Sequence, residues 1–377
     1  MTTVKNVSQR GLLAAIMLPF ILVYYSLADD QARVVNIPCG QDIDATINAD
    51  PKATATRFVL GACNYPASET VKTEQGDEIA GPVGSLSQRG SAFDPQPLAT
   101  ITGSANVTQV LKPQGKVRLE WLTVQGGNFT GNAGTGVGLA GGQMTPSSVV
   151  DAVVIKDNEG AGVSNFNGTL VRSELTNNTT DASALGFIGS GLKAVNEVVV
   201  KQSYIHDTQG NGIWCDAECN DTSLGTFIVE DTLVVNNGRA GIRWEKVGGT
   251  AAGEALIQRN EIHGNSYDAR RGGISIRDAE NATIQNNKFG AVTIAGVSYR
   301  RNADDVAIIV SDSGRASRPN LGNIDIGDNI LNGETVNGCE LPNTAVACAG
   351  DTPWWREHCR YLDASIRALR ELTLSVW

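Results

Sequence analysis

The chain is short of positive charge, histidine and aromatic side chains. Thirty lysines and arginines stand against forty acids in 377 residues, a formal net charge of −10. A nucleic-acid binder needs a basic footprint to neutralise phosphates, and the composition supplies none. Anionic membrane surfaces are disfavoured on the same ground. Three scattered histidines, His206, His263 and His358, argue against a zinc enzyme. Aromatics make up 6% and charged residues 19%, while glycine alone contributes 42. That balance leans to β structure rather than helix, with length for one large core or two modest ones.

Long apolar runs are also scarce. The conspicuous one, Gly11 to Leu27, follows Lys5 and Arg10 and ends in small residues at Ser26 and Ala28. It reads as a secretory signal peptide over 1–28. The alternative is an uncleaved anchor, against which stand Pro19 and a length slightly short of a span. Removing the segment takes two positive charges from −10 and leaves −12. A secreted or periplasmic chain can keep disulfides. Sequence neighbours suggest Cys39 with Cys63, Cys215 with Cys219 and Cys339 with Cys348, leaving Cys359 over.

The middle of the chain is repetitive. "LVRSELTNN", "VVKQSYIHD", "VEDTLVVNN", "LIQRNEIHGN" and "ATIQNNKFG" are each a short alternating strand running into Asn, Asp or Gly. Aligned, they give one apolar column of Ile155, Leu175, Ile205, Val234, Ile262 and Phe289. A second column is Leu170, Val200, Val229, Ile257 and Ile284. Each unit then takes a glycine–aliphatic step, at Gly162, Gly191, Gly212, Gly241, Gly273 and Gly296. Two strands per unit, repeated at ~20–30 residues, is the pattern of a stacked solenoid. Turn asparagines tolerate the left-handed conformation, and their amides can bridge one coil to the next. A β-sandwich is the weaker alternative, since it would not repeat one motif so closely.

These units, over roughly 95–335, resemble the right-handed parallel β-helix repeat of the pectate-lyase-like superfamily. "CGQDIDATINAD" looks like the short helix that covers the first coil in that superfamily, and "VRLEWLTVQGG" like its first full repeat. The resemblance implies an all-β right-handed solenoid with an N-terminal capping helix and a C-terminal helical cap. The expected boundaries are 29–95 for the N-terminal cap and first coils, 96–335 for the repeats and 336–377 for a loop and capping helix. In that last segment Trp355, Cys359, Leu362, Ile366 and Leu369 form an apolar helical stripe after Pro353. The superfamily includes lyases, hydrolases, epimerases and non-catalytic surface proteins, so the fold does not assign a function.

Alternation along the strand after each glycine points Ile213, Cys215, Ile242 and Trp244 inward. Trp214, Arg243, Ser275 and Ser298 then form one outward ladder, and Asp216, Glu245, Arg277 and Arg300 a second. A Trp face can stack on a sugar ring, and Arg can fork onto a carboxylate. Asp216 and Glu245 can serve as acid and base, or hold Ca²⁺ with added oxygens. Arg243 or Arg277 can stabilise an enolate or act as a base. Trp214, Ser275 and Arg300 would bind substrate. The bland reading is a solvated ladder of mutually neutralising charges. His206 and His263 read as surface or turn residues two coils apart, and Cys215–Cys219 as a staple at a bend. The expected role is contact with an extracellular polysaccharide by a monomer, as a lyase, hydrolase or epimerase. A non-catalytic adhesive module, or a periplasmic accessory to a metalloenzyme, stands as the alternative.

Overall fold

The computed structural model describes residues 32–337, apart from 52–53, 187–188, 217–218, 220–225, 248–252, 268–270 and 312–321. The apolar N-terminal run, Cys339, Cys348, Cys359 and the C-terminal apolar stripe lie outside the described residues.

Within them, short parallel strands stack coil on coil and wrap one apolar interior. Each full coil contributes strands to three faces. The first face carries the inward column Val71, Leu111, Leu139, Val163, Leu192, Ile213, Ile242, Ile274 and Ile308. The second carries Phe58, Ile79, Leu119, Val150, Leu170, Val200, Val229, Ile257, Ile284 and Ile326. The third carries Tyr65, Ile101, Val124, Ile155, Leu175, Ile205, Val234 and Ile262. All of these side chains belong to one buried cluster. Both apolar columns expected from the repeats are present in register, and Phe289 joins the third face through the bridge of Lys288 to Glu261. A six-residue helix, Ile43–Asn48, starts at Asp42, whose carboxylate accepts from the Ala45 amide, and sinks Ile43 and Ile47 into the same core.

Stacked strands alone would leave the corners unsatisfied. Two columns of buried polar side chains solve this. At the corner between the second and third faces stand Ser173, Ser203, Thr232, Asn260, Asn287 and Asn329. Each side-chain oxygen accepts from the backbone amide one coil earlier, from Ser203 to Ser173 (3.2 Å) through Asn329 to Asn287 (3.0 Å). At the corner between the third and first faces, Asn237, Asn265 and Asn302 repeat the device, and Glu334 ends it by accepting from both the amide and the side chain of Asn302. The residue before most ladder positions is left-handed: Asp207, Asn236, Gly264 and Gly333 at one corner, Arg172, Gln202, Asp231, Arg259, Asn286 and Asp328 at the other, while Arg301 before Asn302 is not. A non-glycine residue there costs ~1–2 kcal/mol, offset by the hydrogen bonds the turn permits.

The step glycines follow from the same ladder. A Cβ on Gly162, Gly212, Gly241 or Gly273 would fall 2.6–2.9 Å from the next coil's carbonyl oxygen, and 2.7–2.9 Å from the amide nitrogen of Asn178, Asn237, Asn265 or Asn302. Gly296 is different. Val292–Ile294 and Val297–Tyr299 pair antiparallel, so Ala295 and Gly296, both at positive φ, form a two-residue hairpin turn rather than a coil step. The next rung of the first face is Val306–Ser311. A second hairpin, Ser85–Arg89 with Ala92–Gln96, leaves the early coils. The two hairpins share a small core with the outward side chains of the third face: Ala92, Ile294 and Tyr299 against Tyr204, Leu233 and Val235.

The second ladder has one break. Thr208 stands where its neighbours have Asn, and its buried hydroxyl has no partner. Gly191 still leaves the room that the other step glycines give to an amide. We predict that Thr208→Asn raises unfolding free energy by about 1 kcal/mol, the net worth of an added hydrogen bond. Asn265→Ala, which strands several buried groups, should cost about 2–4 kcal/mol. Denaturant melts of both variants check the pair.

Candidate functional site

The outward side of the first face carries most of the expected site. Lys193, Trp214, Arg243, Ser275 and Ile309 stack in register, and beside them Glu245, Arg277 and Ser311. Asp216 follows Cys215, which pairs with Trp244, so it lies next to Glu245. Trp214, Arg243, Ser275, Asp216, Glu245 and Arg277 are therefore brought together. Ser298 and Arg300 are not, because the hairpin removes them from the stack. Arg300 instead lies over the Tyr267 ring, 5.5 Å from its centroid.

The patch is closed rather than solvated. Arg243 is 5% exposed, Glu245 4%, Ser275 4%, and Trp214 and Asp216 9% each; only Arg277 is half-buried. Buried charge demands a partner, and each has one. Arg243 Nη2 meets Glu245 Oε1 at 2.5 Å, and Lys246 Nζ meets Asp216 Oδ1 at 2.9 Å. Arg277 Nη1 is 4.0 Å from Glu245. Trp214 lies between two cations from the adjoining rungs, with Lys193 Nζ 5.1 Å and Arg243 Cζ 5.7 Å from its ring. Burial pulls the Arg243 guanidinium below its ordinary value, with the Glu245 charge opposing the shift. Two donors in this stack, Arg243 Nε and Trp214 Nε1, are buried without a partner. Such donors cost ~1–3 kcal/mol each.

Lys193 and Lys246 were missed in the sequence. Lys193 was legible: it stands two residues after Gly191, the offset of Trp214 from Gly212 and of Arg243 from Gly241. Lys246 follows a strand end, where alternation gives no direction. Asp216 and Glu245, the expected Ca²⁺ ligands, face cations. Among the described residues no group of three or more His, Cys, Asp or Glu side chains is arranged to hold a metal ion. Cys39–Cys63 and Cys215–Cys219 are disulfides, and the second fixes the bend beside Trp214, with both cysteines buried.

His206 and His263 are not surface residues, and His358 lies outside the described residues. His206 lies on the outward side of the third face, stacked on Tyr204, with Nε2 2.8 Å from Glu174 and Nδ1 2.6 Å from Asp207. Burial lowers its proton affinity, but the two carboxylates outweigh this and hold it above its usual value. Tyr204 bonds to Tyr299 at 3.0 Å, and Arg89 lies over the Tyr204 ring. His263 is fully buried, bonds Gly290 oxygen through Nδ1, and burial lowers its pKa.

Residues 192–344 match the family model described as a right handed β-helix region. No curated protein matches the chain by sequence. Solved structures match along most of its length. The A-module of a mannuronan C-5 epimerase from Azotobacter vinelandii is 14% identical, covers 82% of this chain and 96% of its own, and gives a TM-score of 0.48. A pectate lyase is 12% identical over 84% of this chain and 82% of its own, at 0.47. The Streptococcus pneumoniae surface protein and adhesin PfbA is 12% identical over 82% and 93%, at 0.46. With every TM-score under 0.5, these likenesses carry no argument about this chain. Register and family match together make the chain a right-handed parallel β-helix.

Two groups of opposite chemistry, Glu78 and His206, are both shifted upward. Burial and the neighbouring Glu120 push Glu78 up to about 7, against Arg57 and Arg118. A raised carboxyl pKa contributes stability at acid pH that is lost as pH climbs from ~4.3 to about 7. The raised His206 contributes below its unfolded value of ~6.5 and is lost above it. Glu78→Gln should flatten the stability–pH curve in the lower window and His206→Gln in the upper one, read by urea melts from pH 4 to 9. Unchanged curves would contradict these shifts.

Proposed function

We propose that this chain is an exported β-helix that binds an extracellular polysaccharide on its first face, over Trp214, with Arg243 as the polar anchor. One observation carries the reading: the Lys193–Trp214–Arg243 stack holds two buried donors, Arg243 Nε and Trp214 Nε1, with nothing to donate to. An indole with a hydrogen-bond donor at its edge, beside a guanidinium, matches a sugar ring with its hydroxyl or carboxylate oxygens. The Cys215–Cys219 disulfide supports the reading by fixing the strand end that presents Trp214.

The carboxylates fit binding better than hydrolysis. A two-carboxylate mechanism needs one acid and one base free to exchange protons with substrate. Asp216 and Glu245 are each held by a cation, and their role is to balance the buried charges. One observation favours a catalytic second reading. Arg243 is desolvated and its pKa lowered, which would suit it to abstract or stabilise charge in a lyase or epimerase reaction.

A glycan panel tests both readings. Binding followed by calorimetry should be lost or weakened about tenfold or more in Trp214→Ala and Arg243→Gln, while Arg300→Ala binds as wild type. A rise in ultraviolet absorbance from unsaturated product, absent in Arg243→Gln, would establish the lyase reading. Undiminished binding in both Trp214→Ala and Arg243→Gln would remove this site.

A further inference from the structure

The two hairpins, 85–96 and 292–299, lie on the third face with little apolar surface to hold them there. Of the first, only Ala92 and Pro95 are buried. Of the second, only Ile294 and Tyr299 are, while Thr293, Ala295, Gly296, Val297 and Ser298 are exposed. Their common seat is Tyr204. Arg89 of the first hairpin lies 5.1 Å from the centre of its ring, and Tyr299 of the second meets its hydroxyl at 3.0 Å. The strand Ala92–Gln96 rests against Glu174–Thr176 and Tyr204–His206.

The Tyr204 ring in turn stacks on His206, with centroids 3.8 Å apart. Both nitrogens of His206 face carboxylates, Nε2 at 2.8 Å from Glu174 and Nδ1 at 2.6 Å from Asp207. Only an imidazolium has an N–H for each. The two carboxylates differ in their access to water. The Asp207 side chain is 54% exposed and can turn to solvent, whereas that of Glu174 is 14% exposed. Among the described residues His206 is the one ion-pair partner of Glu174. A neutral His206 would therefore leave a carboxylate in a dry space with no cation, which is costly unless water reaches it. The first hairpin roofs that space, so water enters only if the roof rises.

The groups around this ring come from several elements. From the first hairpin come Arg89 and Asp94, paired at 3.0 Å. Burial works against the Arg89 charge, but the bond to Asp94 outweighs it and holds Arg89 above its ordinary value. From the second hairpin comes Tyr299. Burial and the bond to Tyr299 push Tyr204 far above the usual phenol range. On the strand before His206 stands Thr176, its hydroxyl 3.2 Å from Nδ1. Two rungs before is Lys156, beside Asp157. Two rungs after are His263, held neutral by burial, and Glu261, paired with Lys288 at 3.1 Å. Ordinary carboxyl, phenol, ammonium and guanidinium groups titrate outside about pH 6–9. An imidazole titrates inside it.

We propose that His206 is the catch of a latch worked by pH: as an imidazolium it keeps both hairpins down on the third face, and on losing its proton it lets them lift while the coils beneath stay stacked. The sign follows from its surroundings. Burial opposes the charge and the two carboxylates outweigh it, so the closing contribution is whole below the unfolded value of ~6.5 and is lost as pH climbs through the higher folded one. The coils are spared because the catch points outward. Leu175 and Ile205, its neighbours in sequence, stay in the core, and the corner ladders take no bond from His206. Lifting uncovers Tyr204, Leu233 and Val235, which the hairpins otherwise cover. The third face is thus roofed in acid and neutral surroundings and open in alkaline ones.

Hydrogen exchange of the full chain, read by mass spectrometry at pH 6 and pH 9 and corrected for the intrinsic effect of pH, tests the latch. In wild type, peptides over 85–96 and 292–299 should lose about tenfold in protection for each unit by which the folded His206 value exceeds ~6.5. Peptides over 226–230 and 254–258, in the coils, should keep theirs. His206→Gln cannot carry the charge, so its hairpins should exchange fast at both pH values above folded coils. Glu174→Gln gives a neutral ring a partner that needs no cation, and its hairpins should stay protected at pH 9. A purely structural role for His206 would leave the pH dependence of Glu174→Gln like that of wild type, and that result would overturn the proposal. So would wild-type hairpins equally protected at both pH values, or coil peptides that lose protection together with the hairpins. If His206→Gln fails to fold, its coil peptides reveal it, and Glu174→Gln decides alone.

Discussion

The whole fold hangs on buried side-chain oxygens that accept from the backbone amide of the coil before. Strand ladders satisfy the faces, but a coil must turn three times, and a turning backbone has amides with nowhere to go. Ser203, Thr232, Asn260, Asn287 and Asn329 answer this at one corner and Asn237, Asn265 and Asn302 at the other. In a dry interior such bonds are strong because the alternative is an unpaired group. They also impose the other choices. The amides occupy the space a Cβ would need, hence the step glycines; most corners take left-handed φ, which Asp207, Asn236 and Gly264 supply at one and Arg172, Gln202, Asp231 and Arg259 at the other. The amide donors of Asn237, Asn265 and Asn302 point towards the later coils, and Glu334 places an acceptor carboxylate at that end, where burial raises its pKa.

The same rule of satisfaction makes the exception on the first face informative. Its charges are buried and closely paired, as low-dielectric surroundings require. Against that background the free edges of Arg243 and Trp214 stand out. A buried ion pair by itself says little about function, since structural networks also bury charge. A donor left unmet beside a cation-flanked indole is a different kind of feature, because the fold gains nothing from it.

Much of the architecture was legible in the sequence, for a physical reason. A solenoid contacts mainly its neighbours, so its core pattern recurs along the chain, and the columns from Ile155 to Ile262 and from Leu170 to Ile284 could be read directly. The same logic misread "IAGVSYR". A glycine followed by an aliphatic residue also suits a tight hairpin, and only the pairing of Ile294 with Val297 distinguishes the two. Arg300 and Ser298 left the site with it. Burial was the second failure. Alternation states which way a side chain points, not whether anything lies over it, so Trp214, Arg243 and Glu245 were expected in solvent. The histidines failed likewise, because their column is roofed by hairpins from distant coils.

Those hairpins change what kind of object the molecule is. A plain repeat array behaves as a line of nearest neighbours, in which either end can fray while the middle holds. Here Phe93 donates to Gln202 oxygen, and Tyr204 is bonded to Tyr299, tying an early excursion of the chain to a late one across the coils between. Loosening one end therefore disturbs the other. Such a clasp makes unfolding more nearly all-or-none. It also places a contact of long sequence separation at the end of assembly, since the clasp can close only after the coils beneath it have stacked.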